Sequence, residues 1–300
     1  YILFFTHKYT ERSVLILGEC ILYNLDEKIA RRNTISLLSS SIPESLWNNN
    51  QDKVLDLKAE LAEHHLFKHD IIQTLNQDSI CLDTLKYIHL EYENSIVEIF
   101  TDALLMAQFQ AKQLDKKIYS SVKMYPRFLL GLNIADEFGF SFETNNGLTP
   151  LNSHFCLFKK VLGQLNISSE IDSNHAYTEE STDLRIYLEE AYDDYIKLLL
   201  LLAVAEQQVI AFSAPLKQAV ENAGINTKDG YYYVHGTTSD ITTVASDDYH
   251  ENDLWLLITH SLHLHSVEDL RTYALEYCQL WDNFWNKMLV SVKSTSVNIL

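Results

Sequence analysis

The sequence predicts an all-α fold, an up-and-down bundle of about seven core helices. Apolar residues make up 47% of the 300 residues, which is enough for a substantial core. The chain contains only 8 Gly and 4 Pro, a combined share of roughly 4% where about 12% is average. Because β-rich folds need Gly and Pro at their many turns, a chain so poor in both favours long helices.

The first 50 residues are expected to form a helical extension, residues 1–50, that precedes a main domain of residues 51–300. Breaks are predicted at residues 39–43 and again at residues 48–50, because Ser, Asn and Pro favour turns and helix starts over helix interiors. Neither part contains an internal repeat or a low-complexity tract.

Seven helical stretches are predicted within the main domain from the helical spacing of apolar residues. Pro126 falls inside the third stretch, which should therefore start later or kink there. Residues 141–149 and 226–243 are expected to be irregular, because each contains an Asn-Gly or Asp-Gly turn signal. In chain order, the predicted helices are 51–75, 80–115, 117–140, 150–165, 183–220, 243–263 and 266–293.

Charge and cysteine usage exclude several classes of partner. The formal net charge of −18 repels phosphate backbones, so no nucleic-acid partner is expected. The longest aliphatic run, residues 198–205, is far shorter than the roughly 20 residues of a membrane span. A cytoplasmic protein with reduced thiols and no membrane partner is predicted, because no C-x-x-C spacing occurs among Cys20, Cys81, Cys156 and Cys278.

Glu206 is the clearest polar residue on an apolar helix face. Positions three, four and seven residues away share a face in a helix, and those positions around Glu206 include Leu199, Leu202, Ala203, Val209 and Ile210. A lone ionised carboxylate there would cost on the order of several kcal/mol unless it were paired, protonated or bound to a metal. The alternative is that the helix turns Glu206 to a boundary position.

Five further residues carry a similar signal. Glu137 and His154 each share a helix face with apolar residues, and His235 lies among tyrosines. Asp247 and His250 are three residues apart, a spacing that presents an acid and an imidazole to one metal in carboxylate-bridged di-iron bundles. Each has an ordinary alternative: a solvated acid, a core histidine or, for Asp247, a helix cap.

Taken together, these residues supply three carboxylates and three imidazoles without a thiolate. Oxygen and imidazole ligands suit iron or manganese better than a structural zinc ion. Two such ions bridged by carboxylates are the oxygen-activating centre of several helical bundles. The sequence therefore predicts a buried metal centre.

Four short patches follow one another between about residues 60 and 265. They are His-Leu-Phe at 65–67, Asn-Ile-Ala-Asp-Glu-Phe-Gly at 133–139 with His-Phe-Cys-Leu-Phe at 154–158, Ala-Val-Ala-Glu at 203–206, and Tyr-Tyr-Val-His at 232–235 with Asp-Asp-Tyr-His at 247–250. Their order resembles the haem-oxygenase-like di-iron oxidases and oxygenases, iron-containing redox enzymes related to the TenA thiaminase fold. That family shows His-Pro-Phe-Phe, Asn-Leu-x-Asp/Glu-Glu-x-Gly before a His, Ala-x-Glu, and Tyr-Phe-x-x-His-x-x-x-Asp-x-x-His.

The resemblance implies a haem-oxygenase-like bundle and an O2-activating enzyme. Its cofactor would be two iron ions, with manganese as the alternative, and its substrate a small amino-acid-like or fatty-acid-like molecule. An external reductant and a homodimer are further expectations. The implied ligands are Glu137, His154, Glu206, His235, Asp247 and His250. Residues expected near the metals are Glu93, Asp136, Tyr232 and Tyr249.

The chain departs from the family pattern in the spacing of its ligands. Sixteen residues, 138–153, separate Glu137 from His154, where the family has a handful, so a loop insertion is expected. Eleven residues, 236–246, separate His235 from Asp247 where the family has three, and Thr243 occupies the regular His position. Either an insertion still returns His235 to the metal or the second iron site is incomplete.

Two other functions remain open from the sequence. A metal-free TenA-like hydrolase or lyase would need a cysteine nucleophile, for which Cys156 is the candidate. A non-catalytic helical interaction protein is favoured by the added first 50 residues and the displaced His235. Separately, His65 and His69 form an i,i+4 pair that suits either a metal ion or capping and surface roles.

Overall fold

The computed structural model of the chain describes residues 27–77, 80–140, 149–228, 230–235 and 246–297. Across these ranges the chain is helical and forms no strand, which confirms the predicted all-α bundle. The α-helices are α1 (Glu27–Ser40), α2 (Glu44–Ala62), α3 (Asp70–Gln77), α4 (Leu82–Tyr92), α5 (Phe100–Gln110), α6 (Met124–Glu137), α7 (His154–Gln164), α8 (Ser169–Ser173), α9 (Glu179–Glu189), α10 (Tyr195–Asn222), α11 (Tyr231–Val234), α12 (Ser246–Ser261) and α13 (Val267–Val297). A π-helical turn, Glu93–Val97, joins α4 to α5, and short 3-10 turns lie at His65–Lys68, Ala111–Lys116, Pro150–Asn152 and Leu262–Leu264.

Helix α10 is the central helix of the bundle. It packs against α3, α5, α12 and α13, and every side chain from Leu198 to Ala205 is fully buried. By length and composition alone, α10 is apolar enough to cross a membrane, but 78% of its most apolar window is buried inside the bundle. This burial is what a core helix requires, and it places Glu206 in the centre of the molecule.

The N-terminal helices differ from the prediction. The break expected at residues 48–50 is wrong, because α2 runs through them without interruption. Asn50 is buried, and its Nδ2 donates a hydrogen bond to the backbone oxygen of Thr259, 2.8 Å away in α12. That tertiary bond offsets the low helix propensity of Asn. The earlier break is confirmed between α1 and α2, and α1 packs against α6 and α12.

Side-chain caps explain two helix starts that the spacing of apolar residues did not predict. The predicted helix 183–220 is two helices, because the Asp194 carboxylate accepts hydrogen bonds from the amides of Ile196 and Lys197 at 3.1 Å and starts α10. The predicted helix 51–75 is also divided, and a histidine, His69, accepts from the Ile71 amide at the start of α3. Such local bonds compete with helix continuation. Helix α6 starts late, as Pro126 predicted.

Two buried histidines are neutral in the folded chain. His89 lies in α4, where its Nδ1 donates to the Leu85 carbonyl oxygen and its Nε2 accepts from the Tyr232 hydroxyl, both at 2.7 Å. His260 lies in α12, where its Nε2 is 2.8 Å from Ser41 Oγ. Burial lowers the pKa of His89 to about 4, and burial, helped by His263, lowers the pKa of His260 to about 4 as well.

We predict that the metal-free protein loses stability as the pH falls from about 6.5 to about 4. Over that window the unfolded chain binds protons at these histidines while the folded chain does not. Each histidine should remove on the order of 2–3 kcal/mol from the free energy of unfolding. His89→Gln, which can still accept from Tyr232, should flatten the pH dependence measured by urea unfolding at pH 7 and pH 4.5. An unchanged slope would contradict the assignment.

Candidate metal centre

A cavity in the bundle interior contains most of the predicted ligands. It lies between α6, α7, α10, α11 and the π-helical turn, and its volume is about 330 Å³ including its open mouth. Glu137, His154, Glu206 and His235 line it. Tyr231 and several apolar side chains complete the wall. All four predicted ligands are buried, so charged and imidazole groups from four helical segments converge on one enclosed space.

Glu137 and His154 lie side by side because the C-terminal end of α6 is next to the N-terminal end of α7 in space. Glu137 is the last residue of α6 and His154 the first of α7, and His154 Nδ1 lies 3.0 Å from Glu137 Oε1. Gly139 makes the approach possible, since its φ is +79° and a Cβ there would stand 2.5 Å from the backbone of Asn152. The sixteen-residue spacing therefore still brings both side chains together, although residues 141–148 lie outside the described part.

His250 occupies the centre of the carboxylates. Its Nε2 lies 3.1 Å from Asp136 Oδ2, and its Nδ1 lies 3.3 Å from Glu206 Oε1 and 3.8 Å from Glu137 Oε1. Only 1% of the His250 side chain is exposed, and the three acids are buried as well. Helices α6 and α10 thus present three carboxylates to one imidazole of α12, away from water.

The negative charge of the acids in this cluster raises the pKa of its two histidines, His154 and His250. Burial alone lowers the pKa of His250, but hydrogen bonds to Asp136 and Glu206 and their negative charge outweigh it and raise the pKa well above its ordinary value. Burial also opposes protonation of His154, and Glu137 reverses that effect and raises its pKa. A proton on either imidazole is therefore stabilised by the carboxylates next to it.

The long spacing between His235 and Asp247 raised the question of whether both residues reach the site. The structure places His235 there but does not describe the Asp247 side chain. His235 follows α11, lines the cavity, and has its ring centroid 4.8 Å from that of His154. The long spacing after it has therefore not removed it from the cavity. The backbone of Asp247 belongs to α12, but its side chain lies outside the described residues, as do residues 236–245.

The donor types would suit iron or manganese ions, although among the described residues the three ligand atoms that lie within 4.8 Å of one another belong to another group, His65, His69 and Asp282. Ligands that neighbour each other around one ion, at bond lengths near 2.1 Å, stand about 3.0–3.4 Å apart. The contacts of His154 with Glu137 at 3.0 Å and of His250 with Glu206 at 3.3 Å match that separation. In addition, the buried His154 Nε2 has no hydrogen-bond partner among the described residues. The contacts form a chain from His235 to Glu206, which suits two adjacent ions.

Of the residues predicted to lie near the metals, Asp136 contacts the cluster directly, whereas Glu93 and Tyr232 bond elsewhere. Glu93 is buried in the π-helical turn and pairs with Lys159. Burial raises the pKa of Glu93 to about 7 although Lys159 opposes the rise. The Tyr232 hydroxyl bonds to His89. The tyrosine in the cavity wall is Tyr231, which was not predicted to lie near the metals.

A buried arginine, Arg31, joins the N-terminal helix to the two helices that carry Asp136 and His250. Arg31 Nη1 donates to Asn133 Oδ1 in α6 at 2.9 Å and forms an ion pair with Asp253 in α12. Its guanidinium carbon also lies 5.6 Å from the ring centroid of Tyr249, which is half-buried. Sequence reasoning missed this contact, and the one available signal was Asp253, an acid one turn after His250 on the same face.

We predict that Arg31→Met destabilises the fold by about 3–5 kcal/mol, because it leaves the Asp253 carboxylate buried without its partner. Methionine keeps the aliphatic packing of the arginine stem. The matched control is Arg32→Met, since Arg32 is exposed on the same helix. Urea unfolding measures both variants. Equal stabilities of the two would show that the Arg31–Asp253 pair contributes nothing.

Comparison with known proteins supplies no family for the chain. No protein-family model matches it, and no curated protein matches it. The resemblance to haem-oxygenase-like di-iron enzymes therefore rests on four short patches of sequence and remains a proposal. What stands independently of that resemblance is the geometry: two histidines and two glutamates of the described residues line one cavity, and His250 contacts both glutamates.

Proposed function

We propose that the chain is an O2-activating non-haem di-iron oxidase or oxygenase that acts on a small amino-acid-like or fatty-acid-like substrate. The observation that carries the proposal is the chain of contacts from His154 through Glu137 and His250 to Glu206. All four side chains are buried, and all but His250 line the cavity. Carboxylates and imidazoles without thiolates are the ligands of oxygen-activating iron in helical bundles.

The residues of the cluster have separable roles under this proposal. Glu137, His154, Glu206, His235 and His250 would hold the ions, with Asp247 as the sixth ligand. Asp136 would orient His250, because its Oδ2 lies 3.1 Å from Nε2 while Nδ1 faces Glu206. A carboxylate that fixes the tautomer of a ligand histidine is a common support of metal sites. On metal binding, the proton on Nδ1 would be released.

The cavity walls favour a small substrate. Two bound iron ions would supply the electrons that reduce O2, and an external reductant would restore them. The walls contributed by Ile96, Val97, Phe100, Phe155 and Val209 are apolar and keep water from the reacting atoms. The volume of about 330 Å³ includes open solvent at the mouth, so the enclosed space admits a small molecule at most.

The remaining expectations belong to the same proposal. Manganese is the alternative metal, a cytoplasmic protein and a homodimer are the proposed context, and no nucleic-acid or membrane partner is proposed. The net charge of −18 supports the absence of a nucleic-acid partner. The metal-free hydrolase would require Cys156 at the cavity, and the described wall does not include Cys156.

We predict that anaerobic Fe(II) loading gives about two iron ions per chain. Glu206→Gln keeps the shape of the side chain but removes the charge that binds the ions, so it should lose at least half of the iron. Glu221→Gln is the matched control, because Glu221 is exposed on the same helix. Iron content after desalting measures all three proteins. Wild-type protein that retains no iron would refute the di-iron proposal and favour an interaction protein.

We predict that Cys156→Ala leaves iron content and reductant-dependent O2 uptake within about twofold of wild type, since Cys156 is not part of the described cavity wall. His154→Ala should lower the rate of O2 uptake by more than about tenfold, because it removes a proposed iron ligand. Oxygen-electrode traces of iron-loaded protein give both values. If Cys156→Ala instead abolished O2 uptake, the assignment of the reaction to the described cavity wall would be contradicted.

A further inference from the structure

A second group of potential metal ligands lies outside the cavity, where the turn between α2 and α3 meets α13. His65 and His69 come from that turn and Asp282 from α13. One ligand atom from each of the three side chains lies within 4.8 Å of the other two. None of these residues is a proposed iron ligand or part of the described cavity wall.

Hydrogen bonds already hold the three side chains together. His65 Nδ1 lies 2.6 Å from Asp282 Oδ1. His69 Nε2 lies 3.2 Å from Asn286 Oδ1, and Asn286 Nδ2 donates to Asp282 Oδ2 at 3.3 Å. His69 is 2% exposed and Asp282 7%, whereas the His65 side chain is 60% exposed. The cluster therefore has two fixed groups and one accessible group.

We propose that His65, His69 and Asp282 bind one divalent zinc-class cation and thereby fasten the α2–α3 turn to α13. Two imidazoles and one carboxylate, with a fourth position left to water, form a known zinc ligand set. The exposed His65 gives the ion its entry path and the water its place. This cluster contains a single carboxylate, so it would hold one ion.

Binding has an identifiable cost. His69 Nδ1 accepts a hydrogen bond from the Ile71 amide at 3.1 Å, so the neutral ring carries its proton on Nε2. An ion at Nε2 moves that proton to Nδ1, and the bond from Ile71 is lost. The site is therefore expected to bind zinc more weakly than structural sites whose histidines are already in the ligating tautomer.

Zinc titration of the full chain tests the proposal. To keep zinc out of the interior centre, all proteins carry Glu206→Gln and His154→Ala. This background should bind about one zinc ion per chain, raise the melting temperature when zinc is added, and give a visible absorption band with Co2+. His65→Ala should weaken the affinity at least about tenfold, and Asp282→Asn should do the same and abolish the rise in melting temperature.

The control is His64→Ala, because His64 is the neighbouring imidazole outside the three-ligand group. His65 is exposed, so its substitution is expected to leave the fold intact. Equal zinc affinity of His65→Ala and His64→Ala, or no zinc bound by the background protein, would overturn the proposal. If the double background does not fold, the same titration in wild type with iron already loaded gives the comparison. Zinc binding without iron binding would refute the di-iron function alone. Iron binding without zinc binding would refute this zinc site alone.

Discussion

Mutual compensation of buried charge is the constraint on which the rest of this structure depends. Asp136, Glu137 and Glu206 stand around His250 inside the bundle, and all four side chains are almost fully buried. An isolated carboxylate in such surroundings costs on the order of several kcal/mol. The acids raise the pKa of His250 well above its ordinary value, so a proton on that imidazole offsets part of the cost. Divalent ions would offset more of it, and they would leave the histidines neutral.

The surrounding architecture serves to bring these groups together. Helix α6 ends on Asp136 and Glu137, and α7 starts on His154. The close passage of Gly139 past Asn152 allows the two helix ends to meet. On the outer side, Arg31 ties α1 to both α6 and α12. Helix α1 is thus joined to both helices that carry Asp136 and His250.

The sequence was most informative where a charged residue stands on an apolar helix face. Glu206 was identified because an acid on an apolar face of a helix needs a partner, and the structure buries it at the cavity. The helical class followed from the scarcity of Gly and Pro. The Arg31–Asp253 pair and the buried Asn50 were not predictable, because their partners are distant in sequence and only tertiary packing joins them. The division of 183–220 was readable in principle, since Asp194 is a standard N-cap residue.

The central claim is that the interior acids and imidazoles are arranged for two metal ions. An anomalous difference map at the iron absorption edge, from crystals grown anaerobically with Fe(II), tests this most directly. The account predicts two peaks about 3.5–4 Å apart, bounded by Glu137, Glu206 and His250. A map without a peak there, with His250 still bonded to Asp136 and Glu206 as in the metal-free chain, would contradict it.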